Sequence, residues 1–358
     1  MKADGSMYGT DIAGKGVHKV ARHETSAHQH ERLTVCLHEL KRRISEKAAI
    51  EIIVEQIERG VSMFKLFRRR TSPVAQGWER QANAPRLSAT TVAGRRHLTG
   101  VPYALPKDTS EIHRLDFQHY IYRNILRGNF LVPVQNPGAI LDVACGSGIW
   151  GKELAHQFPH SRIVGFDLEE STISGPLPEN YQFVKGNLLD GLPFRDNQFD
   201  FVHQRLVLAS AVPFSRWIEV LRELLRVTCP GGWLELPEVG VEVHPLGPLT
   251  RQFFDWGIDA SLSRGLYPRE IPHLERYLAE AGGRNVGMRS IDVPMGAWGG
   301  RIGIMMERNL ISALGGLKAL YTGQGASAAE FDDLLNQLPG EWRTLRSSLR
   351  FFVFWCQK

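Results

Sequence analysis

From about residue 100 to the C-terminus, short apolar runs alternate with stretches whose apolar residues recur at helical spacing. That alternation predicts βαβ units feeding a parallel sheet, the doubly wound α/β class. Ile140 and Leu141 read as a buried strand running into Asp142, followed by a helix from about Trp150 to Phe158. A second strand covers Arg162 to Asp167, and a later one Phe199 to Val202. Between Pro245 and Leu278 large apolar groups gather: Phe253, Phe254, Trp256, Ile258, Leu262, Leu266 and Tyr267. A further helix around Ile302 to Leu314 carries Met305 and Met306. Aromatic residues at helical spacing most often form core. The same segments, about 245–278 and 300–320, would also serve as an apolar lid over a small molecule.

Ahead of residue 100 the pattern changes. Residues 1–30 are rich in glycine, histidine and polar groups and read as a flexible tail. Leu33, Leu37, Leu40 and Ile44 recur at steps of four, three and four, which places them on one helix face. Ile50, Ile52, Ile53 and Ile57 extend the stripe, and Phe64, Leu66 and Phe67 lead into Arg68, Arg69 and Arg70. Residues 31–70 are therefore expected as a basic amphipathic helical extension. Residues 71–98, with two prolines, two glycines and many small polar groups, read as a linker to a domain over 99–358.

Charge follows the same division. Residues 1–98 hold 18 Lys/Arg against 10 Asp/Glu, and residues 99–358 hold 25 against 28. A protein partner or an anionic surface would meet the 31–70 segment, although a solvated helix face has the same composition. Proteins that grip nucleic acid spread cations over the binding face, so this distribution argues against nucleic acid. The four cysteines (Cys36, Cys145, Cys229, Cys356) show no paired spacing, and the first residues lack an apolar leader. Both point to a reducing, cytoplasmic setting. The uncharged run Gly128 to Leu141 contains two prolines and is too short to span a bilayer. His18, His23, His28 and His30 fit no standard spacing for a metal, and none is expected.

The sharpest chemistry lies between Ala139 and Gly151. After the strand into Asp142, Gly146 and Gly148 allow a tight turn and a close backbone approach to a ligand at the strand's carboxyl end. Gly146, Gly148 and Gly151 also satisfy the G-x-G-x-x-G dinucleotide fingerprint. Asp167, which ends the second strand, suits a ribose diol in either case, because a carboxylate accepts two hydrogen bonds. Asp142, four residues ahead of Gly146, discriminates: it favours a ligand bearing an ammonium group and repels a pyrophosphate.

Leu141 through Gly148 (LDVACGSG) resembles the first motif of class I S-adenosylmethionine-dependent methyltransferases, and Val164 to Asp167 the second. Residues 183–194 and 199–203 resemble the third and fourth motifs, and 230–235 the turn and strand that follow. One position departs: Ala144 stands where the first motif carries its first glycine. Tyr103 to Asp108, Glu111, Arg114 to His119, His203 to Leu206 and the closing 349–358 are similar to the LaeA-type branch of these enzymes. Together the matches span residues 100–358, loosely from 240 to 300.

The resemblance implies a Rossmann-like sheet of seven strands with the last antiparallel, and S-adenosyl-L-methionine as cofactor. It implies Asp142 beside the methionine end, with Gly146 and Gly148 approaching by backbone and Ala144, small enough to keep the turn, among the cofactor-binding residues. Asp167 would hold ribose, Leu168 would pack on adenine, Asn187 would meet the adenine amino group, and Leu188 would join the cofactor-binding residues. Tyr103, Arg114 and Gln118 would close over the cofactor, with Arg114 suited to a carboxylate.

Methyl transfer is an in-line displacement, so positioning supplies much of the rate, and a base is needed only where the nucleophile must shed a proton. His203 is the candidate base. Arg205, Glu238, Phe254 and Met305 are candidate acceptor contacts. Three functions compete: a methyltransferase acting on a small apolar acceptor, a LaeA-like regulatory methyltransferase working through protein partners, and a nicotinamide-dependent oxidoreductase that uses the same glycines.

Overall fold

The structure, a computed structural model, describes residues 87–92, 94–170, 176–322 and 327–358. The chain divides into two units, Met1–Val74 and Ala75–Lys358, and every described residue belongs to the second. The expected tail (1–30) and amphipathic extension (31–70) lie outside the described residues. So does most of the expected linker, but its end is not a linker. Strands β1 (Ser88–Val92) and β2 (Arg95–Thr99) pair antiparallel, with Gly94 at φ 75° between them. The run Thr90-Thr91-Val92 is β-branched, and Gly94 supplies the left-handed conformation that a tight reversal needs.

Helix α1 (Thr109–Leu126) follows, capped by Asp108, whose side chain accepts from the Glu111 N–H. The main sheet then builds from β3 (Ala139–Val143), β4 (Arg162–Asp167), β5 (Tyr181–Lys185), β6 (Phe199–Gln204), β7 (Thr228–His244), β8 (Arg284–Pro294) and β9 (Ser348–Gln357). Their spatial order is β5-β4-β3-β6-β7-β9-β8, and β9 runs antiparallel to both neighbours. This is the doubly wound, seven-stranded class I arrangement with its last strand reversed. The chain steps outward from β3 through β4 to β5, then returns to β6 on the other side. Ligands in such sheets bind outside the carboxyl ends at that reversal, which here means the ends of β3, β4 and β6.

Helices cover the sheet by amphipathic burial. On α4 (Trp217–Val227) the buried positions 217, 220, 221, 224 and 225 fall on one stripe. Each such side chain contributes roughly 1.5–3 kcal/mol. Helix α6 (Leu274–Glu280) joins α4 in the same cluster through Leu274, Tyr277 and Leu278. Helix α2 (Ile149–Gln157) packs Trp150 and Leu154 against Ile140, Ile163 and Phe201. A separate cluster unites α1 with α5 (Pro248–Leu262), α7 (Gly300–Gly316) and α9 (Ala328–Leu345) around Phe253, Met306, Phe331 and Trp342.

The expected lid divides along these lines. Phe253 is fully buried in the core, and Leu266 is 2% exposed, whereas Leu262 is 42% exposed at the surface. Tyr267 stacks on Phe214 at 4.9 Å. From Ile271 to Leu278 the chain covers the sheet and belongs to its core. Position along a helix fixes a face, but packing decides whether that face meets core or cavity.

Candidate active site

After β3 the backbone turns left-handed at Ala144 (φ 54°), Gly146 (φ 56°) and Gly148 (φ 72°), and α2 begins at once. Glycine adopts such angles freely, while alanine costs roughly 1–2 kcal/mol there. The turn is stitched to the next strand: Cys145 N–H donates to the Phe166 carbonyl at 3.1 Å, and Gly146 N–H donates to Asp167 Oδ2 at 2.9 Å. Close approach is enforced at Gly165, the partner of Asp142 across β3 and β4. A Cβ at that position would lie 2.0 Å from Tyr181 Oη.

Register pairs Asp142 with His203 and His203 with Glu235, so three ionisable groups share one level of three adjacent strands. Asp142 Oδ1 lies 3.3 Å from His203 Nδ1, and Asp142 Oδ2 is buried without a partner. Burial pushes the Asp142 carboxyl up to about 7, against the opposing pull of Arg205 and His119. The His203 ring stacks on Trp150 at 3.9 Å, and burial, helped by Arg205, holds its pKa well below the usual imidazole value. Glu235 accepts from the Leu131 and Val132 N–H groups at 2.7 and 3.0 Å and serves to anchor that loop.

Asp167 accepts three hydrogen bonds, one of them from Gly146. Its Oδ1 takes Lys107 Nζ at 2.9 Å and the Leu168 N–H at 2.7 Å. Lys107 and Asp167 are both buried, their side chains 7% and 5% exposed. Lys107 was not foreseen, because sixty residues of sequence separate it from Asp167. Its segment is held down by Arg96, which donates to the Lys107 carbonyl and, with both Nη atoms, to Glu169. Asn187 Oδ1 accepts from the Leu189 N–H at 3.1 Å and caps the short turn 188–190.

A cavity of about 330 Å³ opens at this point. Asp142, Ala144, Gly146, Asp167, Leu168, Asn187, Leu188 and His203 line one part of it, and Tyr103, Arg114 and Gln118 come in from the N-terminal side. Gly148 is not among the lining residues; it turns the chain behind them. Arg114 uses three of its five N–H groups: Nε and Nη2 donate to Glu111 at 2.9 and 2.6 Å, and Nη1 to Asn309 Oδ1 at 3.0 Å.

The rest of the wall is apolar, with Val239, Val243, Phe254, Leu310 and Leu314 among its members. Glu238 also lines it. Its Oε1 accepts from the Val207 and Leu208 N–H groups at 2.8 and 2.9 Å, and its Oε2 is buried without a partner. Burial pushes Glu238 up to about 7, partly offset by those N–H groups. Arg205 lines the cavity too. Met305 does not: it packs in the core, 7% exposed, while Asn309, Leu310, Ala313 and Leu314 of the same helix reach the wall.

Residues 140–232 match the methyltransferase domain. Over 262 residues the chain is 30% identical to methyltransferase pytC of Aspergillus terreus, which spans 69% of this chain and 76% of that one. The chain belongs to the methyltransferases. This methyltransferase is also 29% identical over 276 residues to N-methyltransferase sirN of Leptosphaeria maculans, spanning 71% of this chain and 93% of that one. Over 209 residues it is 27% identical to the secondary metabolism regulator laeA of Aspergillus niger, spanning 55% and 54%.

Membership of that family sets the oxidoreductase alternative aside, and the donor that the sequence resemblance implies is S-adenosylmethionine. The residues present suit that group: an unpartnered buried carboxylate oxygen on Asp142, a left-handed glycine turn, and a second carboxylate at the end of the neighbouring strand. The matched domain runs from β3 into β7, so α1 and the helices bearing Phe254 and Leu310 lie outside it. Among the described residues, no helix is long and apolar enough to cross a membrane.

Proposed function

We propose that this methyltransferase acts on a small, largely apolar acceptor of the secondary-metabolite type. The observation that carries the reading is a single cavity with two unlike walls, one formed by the motif turn and its carboxylates and the other by apolar side chains. The naming of sirN as an N-methyltransferase, over 93% of its length, supports the same class of chemistry.

In this reading the donor's ammonium group lies against Asp142, with the backbone at Gly146 and the turn set by Ala144 and Gly148 beside it. The ribose lies on Asp167, and the adenine lies between Leu168 and Leu188, with its amino group at Asn187. One acceptor position on Asn187 Oδ1 is already used by the Leu189 N–H, which leaves one for the ligand. Asp167 has three of its four lone-pair positions filled, so Lys107 gives way for both ribose hydroxyls to be accepted. Tyr103 and Gln118 close the N-terminal side. The donor supplies a methyl group activated on a sulfonium. The protein's part is to align it with the nucleophile and exclude water.

Where the nucleophile must lose a proton, Glu238 is the better base. Its value of about 7 matches neutral pH, whereas the depressed basicity of His203 makes it a weak acceptor. Phe254 shapes the acceptor wall. The cysteines Cys145, Cys229 and Cys356 are free, which supports a cytoplasmic setting.

Methyl-labelled S-adenosylmethionine in an extract of the source organism tests the acceptor class, with the Asp167→Ala protein as blank. Label is expected in the organic-soluble fraction. Label confined to precipitated protein would overturn the small-molecule reading in favour of a regulatory one.

A further inference from the structure

Arg205 stands immediately after β6 and lines the same cavity as Asp142, Gln118 and His203. Resemblance assigns a carboxylate-binding role to Arg114, but the charge of that guanidinium is already met by a two-pronged bond to Glu111, and a third N–H goes to Asn309. A second carboxylate would find only two N–H groups left, on a charge that Glu111 already balances. Arg205 is different. It forms no ion pair with a carboxylate among the described residues. Its Nη1 and Nη2 each reach only His119 Nδ1, at 3.5 Å, the far limit of a hydrogen bond. The guanidinium carbon lies 5.8 Å over the Tyr122 ring.

A guanidinium set in a cavity wall, partly shielded from water and without a carboxylate, is costly unless a ligand supplies the missing anion. Burial is indeed the largest influence on Arg205, and Asp142 is the foremost opposite charge acting on it. Asp142 in turn keeps a buried oxygen with no partner. The cavity therefore presents one vacant carboxylate oxygen and one guanidinium lacking a carboxylate. An α-amino acid carries an ammonium and a carboxylate on a single carbon, and it complements that pair.

We propose that Arg205, rather than Arg114, binds the carboxylate of the donor's methionine end, while Asp142 takes its ammonium. Arg114 is then a positioning residue, held by Glu111 on its own helix and tying α1 to α7 through Asn309. The proposal rests on the donor-site reading above and assigns one further contact within it.

Two commercially simple ligands separate the possibilities. S-adenosylhomocysteine and 5′-methylthioadenosine share adenine, ribose and a thioether, but only the first carries the amino acid end. Titration calorimetry on the full chain is expected to show wild type binding both. Arg205→Gln should weaken S-adenosylhomocysteine roughly 10- to 100-fold, the range for losing charge-assisted hydrogen bonds, and leave 5′-methylthioadenosine unchanged. Arg205→Lys should fall between, since it keeps the charge but not the two-pronged geometry. Retained 5′-methylthioadenosine binding also reports that the variant site is folded.

Equal losses for both ligands would mean a structural role and overturn the proposal. So would unchanged affinity for both, which would leave Arg205 to an anionic acceptor. Selective loss in Arg114→Gln but not in Arg205→Gln would restore the original assignment. Failure of wild type to bind either ligand would instead sink the donor-site reading itself.

Discussion

The two walls of the cavity are built in opposite ways. The wall proposed to hold the donor comes from strand ends and the turns that follow them, and its key groups sit in short stretches at 142–147, 167–168 and 187–188. The apolar wall draws on Val239, Phe254, Leu310 and Leu314, which come from β7, α5 and α7. The first wall is constrained by its left-handed turn and, in the strand beside it, by the close packing of Tyr181 on Gly165. The second is a surface of interchangeable apolar side chains, which a family can reshape without disturbing the sheet. The shared methyltransferase domain covers the first wall and stops short of most of the second. One donor and many acceptors is the division of labour that such a construction supports.

That contrast can be broken, and the largest effect is expected where the donor wall has no room. Gly165→Ala would place a Cβ 2.0 Å from Tyr181 Oη. It should cost about 3 kcal/mol of stability, read as a fall in the denaturation midpoint. An unchanged midpoint would show that the turn is softer than argued.

Next comes pH. Asp142 is held at about 7 when no ligand is present, and only its ionised form attracts an ammonium group. Binding therefore favours the ionised form. Its contribution is fully present above pH 7 and is lost as pH falls below it. S-adenosylhomocysteine affinity should rise about tenfold between pH 6 and pH 8, and Asp142→Asn should flatten that rise. A wild-type profile that falls with pH would contradict the assignment.

The smallest effect is at Ala144, an alanine held at φ 54°. Ala144→Gly should stabilise the fold by about 1 kcal/mol, because glycine accepts that conformation without strain. The gain should appear as a raised melting temperature with donor affinity intact, and a lowered one would refute the strain.

The same contrast explains what could be seen in the chain. Strand, turn and acid of the donor wall are contiguous, so residues 139–148 and 162–167 were legible, with strand ends within a residue or two. The reversed last strand came with the family likeness. What escaped depends on contacts across the fold. Lys107 meets Asp167 only because β1, β2 and Arg96 hold its segment against Glu169. The Arg114–Glu111 pair was legible in principle, since the two residues sit three apart on a helix. Met305 and Phe254 occupy helices of the same character, yet one faces core and the other the cavity. Periodicity names the apolar face but not its neighbour.

The most direct test sets the two walls against each other in one calorimetric experiment, titrating S-adenosylhomocysteine into Asp167→Ala and Phe254→Ala. Asp167→Ala is expected to lose about 100-fold in affinity, as when a carboxylate accepting hydrogen bonds is removed. Phe254→Ala should bind like wild type and fail only toward the acceptor. Loss of donor affinity in Phe254→Ala, or its survival in Asp167→Ala, would contradict a cavity divided into a fixed donor wall and a variable acceptor wall.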